Sequence, residues 1–253
     1  MFEHIAFTAS PAEIAQDGLD ALVQRYGQHR LEEADVVVAL GGDGFMLQTL
    51  HATQDYQLPV YGMNRGTVGF LMNVYHEDDL MERLRDAERA EIHPLSMRVT
   101  TMNGEIQTAL AINEVSLLRS GPQAAKLRIS VDGRVRMDEL VCDGALLATP
   151  AGSTAYNYSA HGPILPIDAD VFALTALNAF RPRRWRGALL PQKALVKFEV
   201  LHSDKRPVRA DADSKSFDEV QSVEITSERS ITHRLLFDPG HGLEERLIRE
   251  QFV

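Results

Sequence analysis

With 253 residues, 44% of them hydrophobic, the chain is long enough to bury one large core or two modest ones. A formal net charge of -10 and a pI near 5.4 set it against nucleic acid and anionic membrane surfaces, which would repel it at long range, and leave small-molecule chemistry. A single cysteine, Cys142, excludes an internal disulfide framework and a multi-cysteine zinc site and fits a reducing cytoplasm. Met1 to Phe7 contain no basic leader, and no run of about 18 apolar residues occurs, so neither export nor membrane anchoring is expected.

Ile5 to Phe7 read as a first strand. Ser10-Pro11 offers a helix N-cap and a first-turn proline, Ile14, Leu19, Leu22, Val23 and Tyr26 mark one helical face, and Gly27 ends the helix. The apolar run Val36 to Leu40 is a buried strand that empties into Gly41-Gly42-Asp43-Gly44, and Phe45 to His51 form a helix whose N-terminus points back at that turn. Pro59 to Asn64 read as a further strand, followed by a second glycine loop, Gly66 to Leu71. This alternation predicts a parallel α/β sheet, with both glycine loops leaving its carboxyl edge, where open sheets place their ligands. An amphipathic helix is expected over Asp78 to Ala90, carried by Leu80, Met81 and Leu84.

Beyond Pro94 the pattern changes to short strands broken by turns such as Asn103-Gly104 and Asp132-Gly133. Met97 to Met102, Glu105 to Ala111, Val115 to Leu118, Lys126 to Val131, Arg134 to Met137, Leu195 to Leu201, Val220 to Thr226 and Ser230 to Phe237 make a second, mostly antiparallel domain beginning near residue 93.

Three constellations carry chemistry. Glycines at 41, 42 and 44 let backbone N–H groups approach phosphate oxygens. A bare carboxylate there is repelled by a polyphosphate, so Asp43 needs a task, as metal ligand or as base for an attacking hydroxyl; the rival reading is a structural turn. Asn113-Glu114 pairs an amide with a carboxylate at a strand end, which suits vicinal hydroxyls. Asp143 to Ile164 crowd small and hydroxylated residues into a stretch that does not read as core and suits a nucleotide's ribose and base. Ser153 lacks nucleophile-elbow spacing, the nine histidines show no paired metal-ligand spacing, and Cys142 reads as a packing residue.

Gly41-Gly42-Asp43-Gly44, Asn113-Glu114 and Thr149-Pro150-Ala151-Gly152-Ser153-Thr154-Ala155-Tyr156, in this order and at these separations, resemble the NAD kinase family over nearly the whole chain. The first motif alone also resembles diacylglycerol, sphingosine and phosphofructo-kinases; the three together are specific. The resemblance implies a Rossmann-like parallel-sheet α/β domain over 1–92, to which a tail from about 239 returns, and a mostly antiparallel β-sandwich domain over 93–238. It implies ATP-dependent phosphorylation of the adenosine 2′-hydroxyl of NAD to give NADP, with Mg²⁺ or another divalent cation accompanying the ATP. Asp43 would be the general base. Gly41, Gly42 and Gly44 would approach ATP phosphates, with no metal ligand assigned to a protein side chain. NAD would meet Asp43, Gly44, Leu47 and Phe70 from the first domain and Asn113, Glu114, Asp143, Thr154, Ala155, Tyr156 and Ser159 from the second. A cytoplasmic homodimer or homotetramer is implied as well. A lipid or sugar kinase on the same glycine turn, or a silent dinucleotide sensor, is the alternative.

Phe45, His161 and Val141 depart from the family pattern, which favours Thr, Gly and a basic residue at those places. Arg65 is unusual in the second loop and within reach of a phosphate on this reading, and Asp211 matches an Asp beside the nucleotide. Arg181-Pro182-Arg183-Arg184-Trp185-Arg186 is either a solvated face or a set of cations for nucleotide phosphates or a neighbouring subunit.

Overall fold

Apolar strands flanked by amphipathic helices dictate the first unit, residues 1–92 with 231–253, and residues 93–230 form the second. The computed structural model describes residues 2–66 and 69–252. In the first unit β1 (Ile5–Ala9), β2 (Val36–Gly41) and β3 (Pro59–Asn64) run parallel, with α1 (Glu13–Tyr26) between the first two and α2 (Asp43–Thr53) between the second pair. Every residue of β2 is buried, as a central strand covered on both faces must be. Leu22 of α1 packs with Ile5, Phe7, Val36, Val38, Leu40, Tyr61 and Met63. The first helix starts later than the Ser10-Pro11 signal suggests: Ala12, extended, supplies the carbonyl that the Ala15 and Gln16 N–H groups share, and no side chain caps the end.

Two expectations fail here. The helix foreseen over Asp78 to Ala90 is only α3 (Leu80–Asp86); Ala87 is extended, and Glu88–Ile92 become β4, an edge strand whose charges face solvent. The strand at the end of the supposed β domain, His233–Phe237, instead lies between β3 and β4, parallel to one and antiparallel to the other, so the boundary expected at 238 falls at 230. The reason is burial: Leu235, Leu236 and Phe237 are inaccessible to solvent, where a surface strand of the second unit would expose alternate residues. Beyond this returning strand, Asp238 accepts the Tyr61 hydroxyl (2.5 Å) and a two-pronged Arg83 guanidinium (3.1 and 2.7 Å). Burial works against the Asp238 charge, yet Arg83 and Tyr61 hold its carboxyl below the usual range.

The second unit contains β5 (Leu95–Thr101), β6 (Ile106–Ala111), β7 (Glu114–Arg119), β8 (Ala125–Val131), β9 (Arg134–Cys142), β10 (Gly144–Ala148), β11 (Val171–Leu177), β12 (Gly187–Pro191), β13 (Val196–Val200), β14 (Val208–Ala212), β15 (Lys215–Phe217) and β16 (Val220–Ser227). They make two six-stranded sheets, ordered β12-β11-β10-β7-β14-β15 and β6-β5-β16-β13-β8-β9. Alternate residues of both, among them Leu117, Leu147 and Phe172 of the first and Met97, Leu127 and Phe198 of the second, fill one core. Cys142 belongs to it, its thiol pushed up to about 12 by burial. The stretch from 143 that does not read as core begins with one: all five residues of β10 are buried, and a Cβ on Gly144 would lie 2.1 Å from the Leu117 carbonyl oxygen. Among the described residues no helix is long and apolar enough to cross a membrane.

Leu236→Ala is expected to destabilise the chain by about 2–5 kcal/mol, the usual cost of truncating a buried leucine. Urea unfolding followed by circular dichroism measures this; a loss under about 1 kcal/mol would place the returning strand at the surface.

Candidate functional site

Asp43 is the first residue of α2, not part of the turn before it. Gly42 is extended and its carbonyl accepts the Phe45 and Met46 N–H groups, so the helix starts directly behind the glycine pair with a carboxylate at its positive end. That carboxylate is held from the side by the second glycine loop: the Phe70 N–H donates to Oδ2 (2.6 Å) and the Leu71 N–H to Oδ1 (2.9 Å). The loop comes this close because residue 69 has no side chain; a Cβ there would sit 2.3–2.5 Å from the carboxylate atoms. Phe45 packs against Gly41, where an added Cβ would meet its ring and Cβ at 2.8–3.1 Å. Gly44 is exposed and Leu47 and Phe70 are half-buried, so the first unit brings Gly41, Gly42, Asp43, Gly44 and Phe70 to one carboxyl edge of the sheet. Thr67 and Val68 of the expected loop lie outside the described residues. Arg65 is partly engaged: its Nε donates to the Ile14 carbonyl (2.9 Å) and its guanidinium lies 3.9 Å from the Tyr75 ring centre.

In the second unit Asn113 immediately precedes β7 and Glu114 opens it, and three interactions lock the backbone here. The Ile112 and Asn113 N–H groups donate to the two oxygens of Asp213 (2.7 and 2.9 Å), and the Thr149 N–H donates to the Asn113 carbonyl (2.9 Å). Thr149 Oγ1 donates to the Ile112 carbonyl (2.8 Å) and accepts the Gly152 N–H (3.0 Å), tying the start of the 149–156 segment to the pair. Gly152 is required, since a Cβ would lie 2.1 Å from the Asn113 carbonyl oxygen. Thr154 and Ala155 then follow, and the backbone of Tyr156 comes close enough to the Glu114 carboxyl to favour its charged form slightly.

Glu114 is the electrostatic anomaly of the site. Burial, and secondarily the charge of Asp213, push its carboxyl up to about 8. Its Oε2 is buried with no hydrogen-bond partner among the described residues, and so is Oδ1 of Asp211, whose other oxygen pairs with Arg209 (3.2 Å). Burial raises the Tyr156 hydroxyl, and the neighbouring Glu114 and Asp211 add to the shift. Two orphaned acceptors beside an exposed tyrosine are groups that a ligand's hydroxyls would satisfy.

Asp143, Tyr156 and Ser159 line a cleft of about 470 Å³ in this unit. Asn178 (2.9 Å) and Arg119 (2.7 Å) both donate to Asp143 and hold its carboxyl below the usual range. Arg184, Trp185 and Arg186 line the same cleft, and among the described residues Arg184 and Arg186 make no ion pair. Their segment is pinned to β9: the Val141 N–H donates to the Arg181 carbonyl (2.8 Å), and the Phe180 N–H to that of Val141 (2.7 Å). Val141, where the family pattern favours a basic residue, thus carries the arginine stretch on its backbone.

Sequence reasoning missed the scaffolding residues Thr149, Asp213 and Asn157. Asn157 Nδ2 donates to the Ser153 and Pro163 carbonyls (3.0 and 2.9 Å) and its Oδ1 accepts Thr175 Oγ1 (2.6 Å), while Ser153 Oγ donates to Pro150 and accepts the Leu165 N–H. The available signal was polar residues inside an apolar stretch. Folded Glu114 binds a proton that the unfolded carboxyl releases near its ordinary value, so stability falls as pH rises from about 4.5 towards about 8. Glu114→Gln removes that loss; urea midpoints at pH 5.5, 7 and 8.5 are expected to decline less steeply for the variant than for the parent.

Residues 2–92 match the model of the ATP-NAD kinase N-terminal domain, and residues 112–235 match that of the C-terminal domain. An NAD kinase of Cereibacter sphaeroides is 68% identical over 251 residues, covering 99% of each chain, and one of Caulobacter vibrioides is 60% identical over 248, covering 98% of this chain and 95% of the other. Among solved structures, an NAD kinase from Archaeoglobus fulgidus in complex with ATP shares the fold at a TM-score of 0.75 with 25% identity, covering 98% of this chain and 97% of that one. Yeast NADH kinase complexed with NADH does so at 0.85 with 19% identity, covering 99% and 87%. Matched in both its N-terminal and C-terminal domains, the chain belongs to the NAD kinase family of phosphotransferases.

Proposed function

We propose that the chain transfers the γ-phosphoryl group of ATP to the adenosine 2′-hydroxyl of NAD, giving NADP and ADP. The 2′-oxygen forms the new bond to the γ-phosphorus, the bond from that phosphorus to the bridging oxygen breaks, and the hydroxyl proton passes to Asp43. The observation that supports this most is the state of Asp43: a carboxylate fixed in direction by two backbone N–H bonds, at a helix start flanked by glycines. A loose phosphoryl transition state asks for little early deprotonation, so a carboxylate that aims the hydroxyl correctly serves better than a strong base.

The family implies a divalent cation with the ATP. Asp43 is an oxygen donor of the kind a hard cation accepts, but both its oxygens are already shared with N–H groups, so it suits a contact through water better than chelation. When bound with the nucleotide, the cation would draw charge from the phosphoryl oxygens. In the second unit Glu114, carrying a proton at neutral pH, has both a donor and an unpartnered acceptor to offer a ribose. Asn113, Thr154, Ala155, Tyr156 and Ser159 would surround the dinucleotide, with Asp143 at its nicotinamide portion. Arg184 and Arg186 face the same cleft and fit its phosphates. A cytoplasmic homodimer or homotetramer accompanies this reading, and the exposed Phe180 and Leu189 supply apolar surface for one.

In a coupled assay with ATP, Mg²⁺ and NAD, Asp43→Asn is expected to lower kcat by roughly 10²–10⁴-fold, the usual contribution of a general base. NADP formation undiminished by that change would remove the assignment, and phosphorylation of a diacylglycerol or a sugar in place of NAD would move it to another kinase class. Arg184→Ala and Arg186→Ala are each expected to raise the KM for NAD by roughly 3–30-fold, the loss of one charge-assisted bond. An unchanged KM for both would make the stretch a solvated face.

A further inference from the structure

The last helix, Leu243–Glu250, places one guanidinium beneath the second glycine loop. Arg246 is half-buried, and its fork is spent almost wholly on main-chain oxygens: Nη1 donates to the carbonyls of Phe70 (2.9 Å) and Met72 (2.7 Å), and Nε to that of His241 (2.7 Å). Nη2 reaches Asn73 Oδ1 at 3.4 Å, and the group lies 4.9 Å from the Phe237 ring centre. Among the described residues it makes no direct ion pair. Burial disfavours its charge, and the carboxylates that oppose this are Asp43 and Asp238.

The route to Asp43 is a single peptide group. The Phe70 carbonyl, which accepts from Arg246, and the Leu71 N–H, which donates to Asp43 Oδ1, are its two ends. A cation on the oxygen polarises that group and makes its N–H a stronger donor to the carboxylate. One peptide earlier, the Phe70 N–H takes the other carboxylate oxygen. The far side of the loop is equally fixed: Asn73 Nδ2 donates to the Gly62 and Leu236 carbonyls (both 3.0 Å), and its Oδ1 accepts the Asp238 N–H (3.0 Å). Within this otherwise backbone-built cradle, Arg246 brings the positive charge, from a helix nearly at the end of the chain.

We propose that Arg246 is a positioning residue for the phosphoryl transfer, fixing through the Phe70–Leu71 peptide the direction in which the Asp43 carboxylate points. This rests on the role proposed above for Asp43. The donors of Arg246 are taken by oxygens of the protein itself, so its influence is on when the hydroxyl is aligned, not on how tightly NAD is held. A lysine keeps the charge but not the fork that spans two carbonyls, so it can restore the effect only in part.

The test is a double-mutant cycle on the full-length enzyme with saturating ATP and Mg²⁺, using Arg246→Ala, Arg246→Lys, Asp43→Asn and the combination of the first and third. Arg246→Ala is expected to lower kcat by roughly 10–100-fold while the KM for NAD stays within about twofold, and Arg246→Lys to fall between it and the parent. On the Asp43→Asn background, the alanine change is expected to add little further loss, because its effect passes through the missing carboxylate. A full additional loss on that background, or a raised KM with unchanged kcat, would overturn the proposal. Asp43→Asn with parental turnover would instead overturn the Asp43 reading itself. If thermal unfolding shows Arg246→Ala to be unfolded, the same cycle run with Arg246→Lys decides the question.

Discussion

Everything in the first unit converges on the approach of one backbone loop to one carboxylate. Two N–H groups cannot reach the oxygens of Asp43 unless residue 69 lacks a side chain, nor can the carboxylate stand at the helix start unless Gly42 is extended there. A lone carboxylate at the mouth of a glycine turn is free to swing away from any approaching anion. Paired with fixed donors, it keeps its direction without a neighbouring cation in direct contact. The sheet order serves the same end. Placing His233–Phe237 beside β3 brings Asp238 and the last helix to the loop, so the final residues of the chain buttress a turn formed by its first third.

The second unit solves a different problem, that of holding a polar pair at the rim of a tightly packed sandwich. Its solution is backbone saturation. Asp213 and Thr149 satisfy the main chain around Asn113 and Glu114, which frees the Glu114 side chain from structural duty; among the described residues one of its oxygens has no partner. An unmatched buried acceptor costs stability when empty and rewards a hydroxyl that fills it. The same logic places Asp143 between two donors, while Arg184 and Arg186 line the same cleft with no ion pair among the described residues.

How much of this could be read from residues alone follows from where the physics is local. The run Val36 to Leu40 ending in glycines, the hairpin turns at Asn103-Gly104 and Asp132-Gly133, and the change from alternating elements to short strands near residue 93 are all short-range signals, and each has its counterpart in the fold. The fate of Ser230 to Phe237 is not local, because a strand carries no mark of the sheet it will join; parallel pairing with Pro59 to Tyr61 is decided by a sequence separation of well over a hundred residues. Glu88 to Ile92 was lost for the same reason, its charges fitting a helix face and an edge strand equally well. At the site, glycines and acids announced themselves by type. Asn157, Thr149 and Arg246 did not, since what they do depends on carbonyls that only the folded chain brings within reach. Arg65, a cation in the same loop, is anchored by a carbonyl and a ring, Ile14 and Tyr75, that sequence alone could not place beside it.

The account stands on where Asp43 points once the dinucleotide is bound. A crystal structure of the chain with NAD measures that directly, as the separation between a carboxylate oxygen of Asp43 and the adenosine 2′-oxygen. A distance of about 2.6–3.2 Å is predicted, the reach needed for proton transfer. A 2′-hydroxyl turned to solvent, with Asp43 still bound to the Phe70 and Leu71 amides and facing no part of the ribose, would contradict it.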